Sequence, residues 1–218
     1  AEEMAEHRAI FRKGAAEKGI GQEKADEVFD LMEKFAGYGF NKSHAAAYSL
    51  LAYHTGWLKV HFTAEFFCAN MTVEMDDTDK LKVLFEDARK NFGMEFEPPN
   101  INRGRYRFEP VTNTVIRYGL GAVKGTGQQA IEAIVAAREG RGDGPRGATS
   151  GPFTSLFDFC VRVDRSKINK RTVDALIKAG AFDTLDQNRA ALSASLDRAF
   201  DFSTAQLANA NQGGLFDM

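Results

Sequence analysis

The apolar positions of residues 1–36 fall at helical spacing. Ile10 and Phe11, then Val28, Leu31, Met32 and Phe35, stand among Ala, Glu, Lys and Met. Gly19 to Gly21 break this stretch into two helices. A glycine-marked loop, Ala36 to His44, leads into Ala45-Ala-Ala-Tyr-Ser-Leu-Leu-Ala, with Ser43 placed to cap the helix that follows. That helix is apolar on nearly every face, which predicts deep burial. A helix is expected around Thr63 to Met71. Four acids between Glu74 and Asp79 then suit the N-terminus of another over Lys80 to Phe92.

After Pro98-Pro99 the texture changes. Tyr106, Phe108, Val111, Val115, Ile116 and Tyr118, with turn residues between them, predict a small set of strands. Helical sequence returns from Ile131 to Arg138, and a Gly-rich polar loop covers 139–152. Three helices are expected near 154–162, 169–179 and 187–201. Ser203 to Gly214 has no charge and little bulk, and predicts a flexible tail. The fold class is therefore mainly α with a small β element.

Composition narrows the classes. With 218 residues, 44% hydrophobic and 27% charged, the chain can bury a core as one large domain or two small ones. The net charge of −2 removes any global basic excess, so contact with nucleic acid must come from local patches or backbone groups. The 18 Phe are expected mostly in the core. Cys68 and Cys160 sit in apolar surroundings, which suits buried free thiols in a reducing, cytoplasmic setting rather than a disulfide or a zinc site. No signal peptide and no membrane-spanning apolar run is visible, and no His, Cys, Asp and Glu cluster has metal spacing. The chain opens at Ala1 directly into helical sequence, which reads as a piece of a longer protein.

Two segments carry chemistry. In Gly119-Leu-Gly-Ala-Val-Lys-Gly-Thr-Gly127 the glycines allow a tight turn and close approach of another surface. The helix that follows offers free N–H groups and the positive end of its dipole. Lys124, Gly125, Thr126 and Gly127 thus form a helix-hairpin-helix signal suited to gripping a DNA phosphate without reading bases. The plainer reading is a tight turn before a core helix. A second candidate raises the odds: the helix from Asn169 ends at Lys178 to Gly180, followed by a turn and a helix from about Gln187. Arg165, Lys167, Lys170 and Arg171 lie between the two candidates and are expected to face DNA. The other segment is Asn41-Lys-Ser-His44 at the mouth of an apolar helix. Lys42, Ser43, His44 and the helix dipole suit a triphosphate, although the P-loop spacing is absent and Ser43 and His44 also admit purely structural roles.

Several motifs occur in order: Phe40-Asn-Lys-Ser-His-Ala-Ala-Ala-Tyr-Ser-Leu, Trp57-Leu-Lys, Ala64-Glu-Phe-Phe, Pro98-Pro-Asn-Ile-Asn, Tyr118-Gly-Leu-Gly-Ala-Val-Lys-Gly-Thr-Gly, Leu156-Phe-Asp-Phe-Cys and Lys178-Ala-Gly-Ala-Phe-Asp. From near residue 1 to about 202 the chain resembles the alpha subunits of bacterial DNA polymerase III, the family C polymerases. The resemblance implies that residues 1–97 are the C-terminal part of the fingers, with Asn41, Lys42, Ser43 and His44 facing a deoxynucleoside triphosphate. It implies a tandem helix-hairpin-helix region holding template-primer duplex over 98–202. The family's catalytic aspartates and their two magnesium ions belong to a palm absent from this chain. The piece is then expected to be inactive alone, and other replicase subunits are expected partners of the parent.

The end of the chain, over 203–218, adds one more motif. Gln212, two variable residues, then Leu215-Phe216 resembles the pentapeptide that binds the beta sliding clamp, with the two apolar side chains as anchors for a pocket. The alternatives are a stand-alone DNA-binding module that recruits the clamp, and a generic helical interaction domain without affinity for DNA.

Overall fold

The computed structural model describes residues 2–37, 42–141 and 150–212, which form two compact units, 1–57 and 58–218. In the first, α1 (Glu2–Glu17) and α2 (Gln22–Gly37) make a helical hairpin. Gly19 has φ 74°, a conformation glycine adopts without strain, and it turns the chain between them. Ala15, Ala25 and Phe29 are buried in the seam, and Phe11 packs on Phe29 at 5.6 Å between ring centroids. Arg8 bridges Asp30 at 2.5 Å and Glu33 at 2.6 Å, and Arg12 holds Asp26 at 2.5 Å. The Arg12 guanidinium holds the Asp26 carboxyl below its usual range. These partly exposed pairs set the register of the hairpin more than its stability.

Helix α3 runs from Lys42 to His61. The deep burial its apolar sequence predicts is not observed. Tyr53 is 67% exposed, and Tyr48, Leu50, Leu51 and Trp57 are exposed as well. An apolar helix is buried only where other segments cover it, and hydrophobic patterning does not specify that cover.

The last turn of α3 belongs to the second unit. There Lys59 reaches Asp87 at 2.7 Å with its ammonium 4.9 Å from the centre of the Phe92 ring. Helices α4 (Thr63–Val73) and α5 (Thr78–Phe92) follow. The acidic turn supplies a cap: Asp77 accepts from the Lys80 N–H at 3.1 Å, and Gly93 at φ 62° closes the other end. Strands β1 (Glu95–Glu97), β2 (Glu109–Thr112) and β3 (Val115–Arg117) form a sheet of order β1-β3-β2. β1 pairs parallel to β3, so the sheet straddles Pro98. Pro110 is tolerated because β2 is an edge strand. Phe67, Met71, Phe108 and Ile116 are the buried centre of this layer.

A second core joins α6 (Gln128–Arg138), α7 (Leu156–Arg162), α8 (Lys170–Lys178), α9 (Arg189–Ala194) and α10 (Leu196–Gln212). Phe159 is fully buried between Phe153 and Phe182, at 5.1 Å from each ring. The helix expected over 187–201 is broken at Ser195. α9 packs on α8 and α10 on α7, so one straight helix could not serve both partners. α10 continues through Gln212, past the point where composition predicts a flexible tail. Cys68 and Cys160 are buried free thiols, and burial pushes each up to about 12.

Truncating the central ring should be felt across the whole second unit. Phe159→Ala is expected to lose about 3–5 kcal/mol in urea unfolding of the chain. A loss below about 1 kcal/mol would show that the ring is peripheral.

Candidate nucleic-acid interface

The first hairpin is built from a single 3-10 turn (Leu120–Ala122), the loop Val123–Gly127 and helix α6. Val123 is buried and anchors the loop. The Thr126 hydroxyl lies 2.8 Å from the Leu120 carbonyl and 2.7 Å from that of Val123, closing the turn from inside. Gly125 has φ 94°, which a side chain would strain. Gly127 is different. Its φ is −92°, open to any residue, and a Cβ added there would meet nothing within 4 Å. Neither backbone conformation nor close contact demands glycine at 127, which serves as an ordinary N-cap residue. It caps α6 without a side chain, so no cap side chain takes up the N–H groups of Gln128 and Gln129, while the Ala130 N–H donates to the Gly127 carbonyl at 3.1 Å. Lys124 is exposed beside them.

A second hairpin precedes the one expected from the sequence, whose helix, turn and helix are α8 and α9. It joins α7 to α8 through residues 163–169, without glycine. Asp164 accepts from the Ser166 N–H at 2.8 Å and so turns the chain, which holds its carboxyl below the usual range. Val163 and Ile168 are buried on either side of the turn, and Asn169 caps α8 by accepting from the Thr172 N–H at 2.9 Å. The two hairpins touch. The Thr172 hydroxyl is 3.4 Å from the Gly125 carbonyl, and the Cβ position of Gly125 faces Ala175 at 3.8 Å. The N-terminal turn of α8 is therefore packed against the hairpin that presents α6. Thr172, which does the joining, carries no motif signal in the sequence.

The structure sorts the basic residues. Lys167 and Arg171 are exposed at the second hairpin. Arg165 turns inward: its guanidinium lies 4.0 Å from the Phe200 ring centre, donates to the Phe200 carbonyl at 2.9 Å and bonds Ser203. Lys170 pairs with Asp197 on α10. Lys178 and Gly180 stand at the C-terminal end of α8, about 13 Å from its N-terminus, where the dipole repels anions. Lys178 pairs with Asp174 at 2.6 Å. Gly180, at φ 85°, is closed over by Arg189 and Asp183, so its role is conformational.

Of the triphosphate candidates, Asn41 lies outside the described residues. Lys42, Ser43 and His44 form the first turn of α3, which starts before the cap position expected for Ser43. The His44 ring stacks on Tyr48 at 4.1 Å. The backbone of Gln212 ends α10, while Leu215 and Phe216 lie outside the described residues. Among the described residues no group of His, Cys, Asp and Glu is placed to hold a metal ion, and no helix is long and apolar enough to cross a membrane.

Paired hairpins on one core define a helix-hairpin-helix protein, and the helix-hairpin-helix motif family matches residues 93–192. The similarity extends over the whole chain. It is 55% identical over 217 residues to DNA polymerase III subunit alpha of Neisseria meningitidis serogroup B, which covers 100% of this chain and 18% of that protein. The subunit alpha of Escherichia coli K12 is 46% identical over 217 residues, with the same coverage of 100% and 18%. That of Vibrio cholerae is 51% identical over 198 residues, covering 91% of this chain and 16% of that protein. The chain belongs to the DNA polymerase III alpha-subunit family, as a relative of one segment, and spans less than one fifth of those relatives' length.

The two glycines of the first hairpin should separate in a stability assay. Gly125→Ala is expected to cost about 1–3 kcal/mol through its left-handed backbone. Gly127→Ala should cost less, about 0.5–1 kcal/mol from the poorer N-cap. Equal losses in thermal or urea unfolding would remove the distinction.

Proposed function

We propose that the chain grips duplex DNA through the paired hairpins, as part of a DNA-directed DNA polymerase of the DNA polymerase III alpha type. The observation that carries this reading is Gly127, which no backbone angle or close contact requires to be glycine, at an N-terminus of α6 that no side chain caps. A phosphate seated on the first-turn N–H groups needs the space a side chain would fill. The contacts available are backbone amides with Lys124, Lys167 and Arg171 around them, so binding is to the sugar-phosphate backbone and independent of base sequence.

Two further roles extend the reading. The first turn of α3, with Lys42, Ser43 and His44, is the proposed contact for the incoming deoxynucleoside triphosphate, since a 20-residue helix directs its positive dipole end there. The peptide Gln212 to Phe216 is the proposed anchor on a sliding clamp, with Leu215 and Phe216 as the buried pair. The magnesium ions of polymerase chemistry have no donor cluster among the described residues. The exposed apolar surface of α3 suits cover by further polypeptide of a longer polymerase and its replicase partners.

Duplex binding by the 218-residue chain is expected to weaken as salt rises, and Gly127→Val is expected to reduce affinity several-fold on every duplex sequence alike. Unchanged affinity in a gel shift would leave the first hairpin a structural turn. Replacing Leu215 and Phe216 together with Ala should abolish heat of binding to the clamp in calorimetry. Retained binding would refute the tail assignment.

A further inference from the structure

One groove of the second unit belongs to neither hairpin loop. It is a cavity of about 540 Å³, within the roughly 300–1,000 Å³ of sites that take small ligands. Residues 105–109 form one wall, and α6 from 128 to 136 forms the other. The lining is apolar at depth: Phe108, Ile131 and Val135 are buried, and Tyr106 is half-buried. The first wall is fixed to the turn before α6. The Leu120 N–H donates to the Arg105 carbonyl at 2.8 Å, and the Gly121 N–H donates to the Tyr106 carbonyl at 3.0 Å. A Cβ at Gly121 would stand 2.5 Å from the Tyr106 ring, and one at Gly119 would stand 2.7 Å from the Arg107 carbonyl carbon. These two glycines of the motif therefore serve the close approach of that wall, separately from any phosphate.

The rim carries charge of both signs, and most of it is paired. Arg105 meets Glu109 at 3.4 Å and Glu139 at 2.6 Å, and Arg141 also pairs with Glu139. Two groups remain. Arg107 on the first wall and Glu132 on α6 are exposed, and among the described residues neither has an ion-pair partner. Glu132 accepts only from the Gln128 side chain, at 2.7 Å. The carboxylate disfavours a ligand that is anionic throughout. An apolar slot with one cation and one carboxylate at its rim instead fits a flat body with a phosphate at one end and hydrogen-bond donors at the other. We propose that this groove binds an unpaired nucleotide whose base carries an exocyclic amine. Arg107 takes the phosphate, Tyr106 with Ile131 and Val135 receives the face of the base, and Glu132 accepts from the amine. Only an unstacked base can offer its face, so the bases of an intact duplex are excluded. The site is separate from the proposed duplex grip at Gly127 and does not depend on it.

The test titrates the 218-residue chain into labelled short single strands of deoxycytidine and of deoxyuridine, followed by fluorescence anisotropy. The two strands differ in whether the base carries an amine. Deoxycytidine should bind several-fold more tightly. Arg107→Ala should weaken both strands about tenfold. Glu132→Gln should remove the preference for deoxycytidine and still bind both strands, because an amide can also donate to the oxygen of uracil. Both side chains are exposed, so neither change should move the thermal unfolding midpoint. Gly127→Val should leave single-strand binding unchanged. Free deoxycytidine monophosphate as competitor identifies the source of the nucleotide: displacement at comparable nucleotide concentration marks a free molecule, and displacement only in large excess marks a nucleotide within a strand. The site is overturned by absence of saturable binding to either strand, by Arg107→Ala binding like the parent, or by a deoxycytidine preference that survives Glu132→Gln. It is also overturned if Gly127→Val weakens single-strand binding as much as Arg107→Ala, which would move the strand to the hairpin. A chain that binds single strands and ignores duplex would overturn the duplex reading alone.

Discussion

The hairpin region depends on the shared apolar core around Phe159. A loop that grips phosphate through backbone amides has little energy to spare for holding its own shape, so another structure must hold it. Phe159, packed between Phe153 and Phe182, lies where α7 and the segment leading to it meet the turn after α8. Val123 and Val163, one from each hairpin loop, belong to the same cluster. The spacing of the two loops is therefore set by side-chain packing, which is stiff, and not by the loops. Arg162 supports this arrangement. It is 4% exposed, bonds the carbonyls of Ala137, Pro152 and Gly151, and has Asp158 at 3.0 Å as counter-charge. A buried cation is costly unless so surrounded, and here it ties the end of α6 to α7.

Charge is used sparingly for binding and freely for fastening. Arg8, Arg12, Lys59, Arg162, Arg165 and Lys170 all hold helices to one another. Few cations remain at the hairpins, in keeping with a net charge of −2. The candidate interface accordingly consists of helix N-termini and the uncrowded Gly127 rather than a basic surface.

The periodicity of apolar residues is a local signal, and it marks most of the helices, the break at Gly19 and the strands after Pro98. The first hairpin was legible because its glycines and the helix after them are contiguous. The hairpin between α7 and α8 carries no such signal because it contains no glycine: Asp164 and Asn169 turn and cap it through hydrogen bonds that composition does not announce. Lys178 and Gly180 put a basic residue near a glycine, and the helix direction places them at the C-terminal pole of α8.

The sequence by itself determined which segments are helical, which residues can form a phosphate-type turn, and, through long motifs in order, the family. Each of those follows from residues adjacent along the chain. Tertiary structure decided what each basic side chain does, because Arg165 and Lys167 are chemically alike in the sequence and differ only in whether Phe200 and Ser203 lie beneath them. It also decided that Tyr48, Leu50, Leu51 and Tyr53 of α3 are exposed and that α10 carries on to Gln212. Burial and heading are properties of how elements meet, and hydrophobic patterning specifies an apolar face without naming what will cover it.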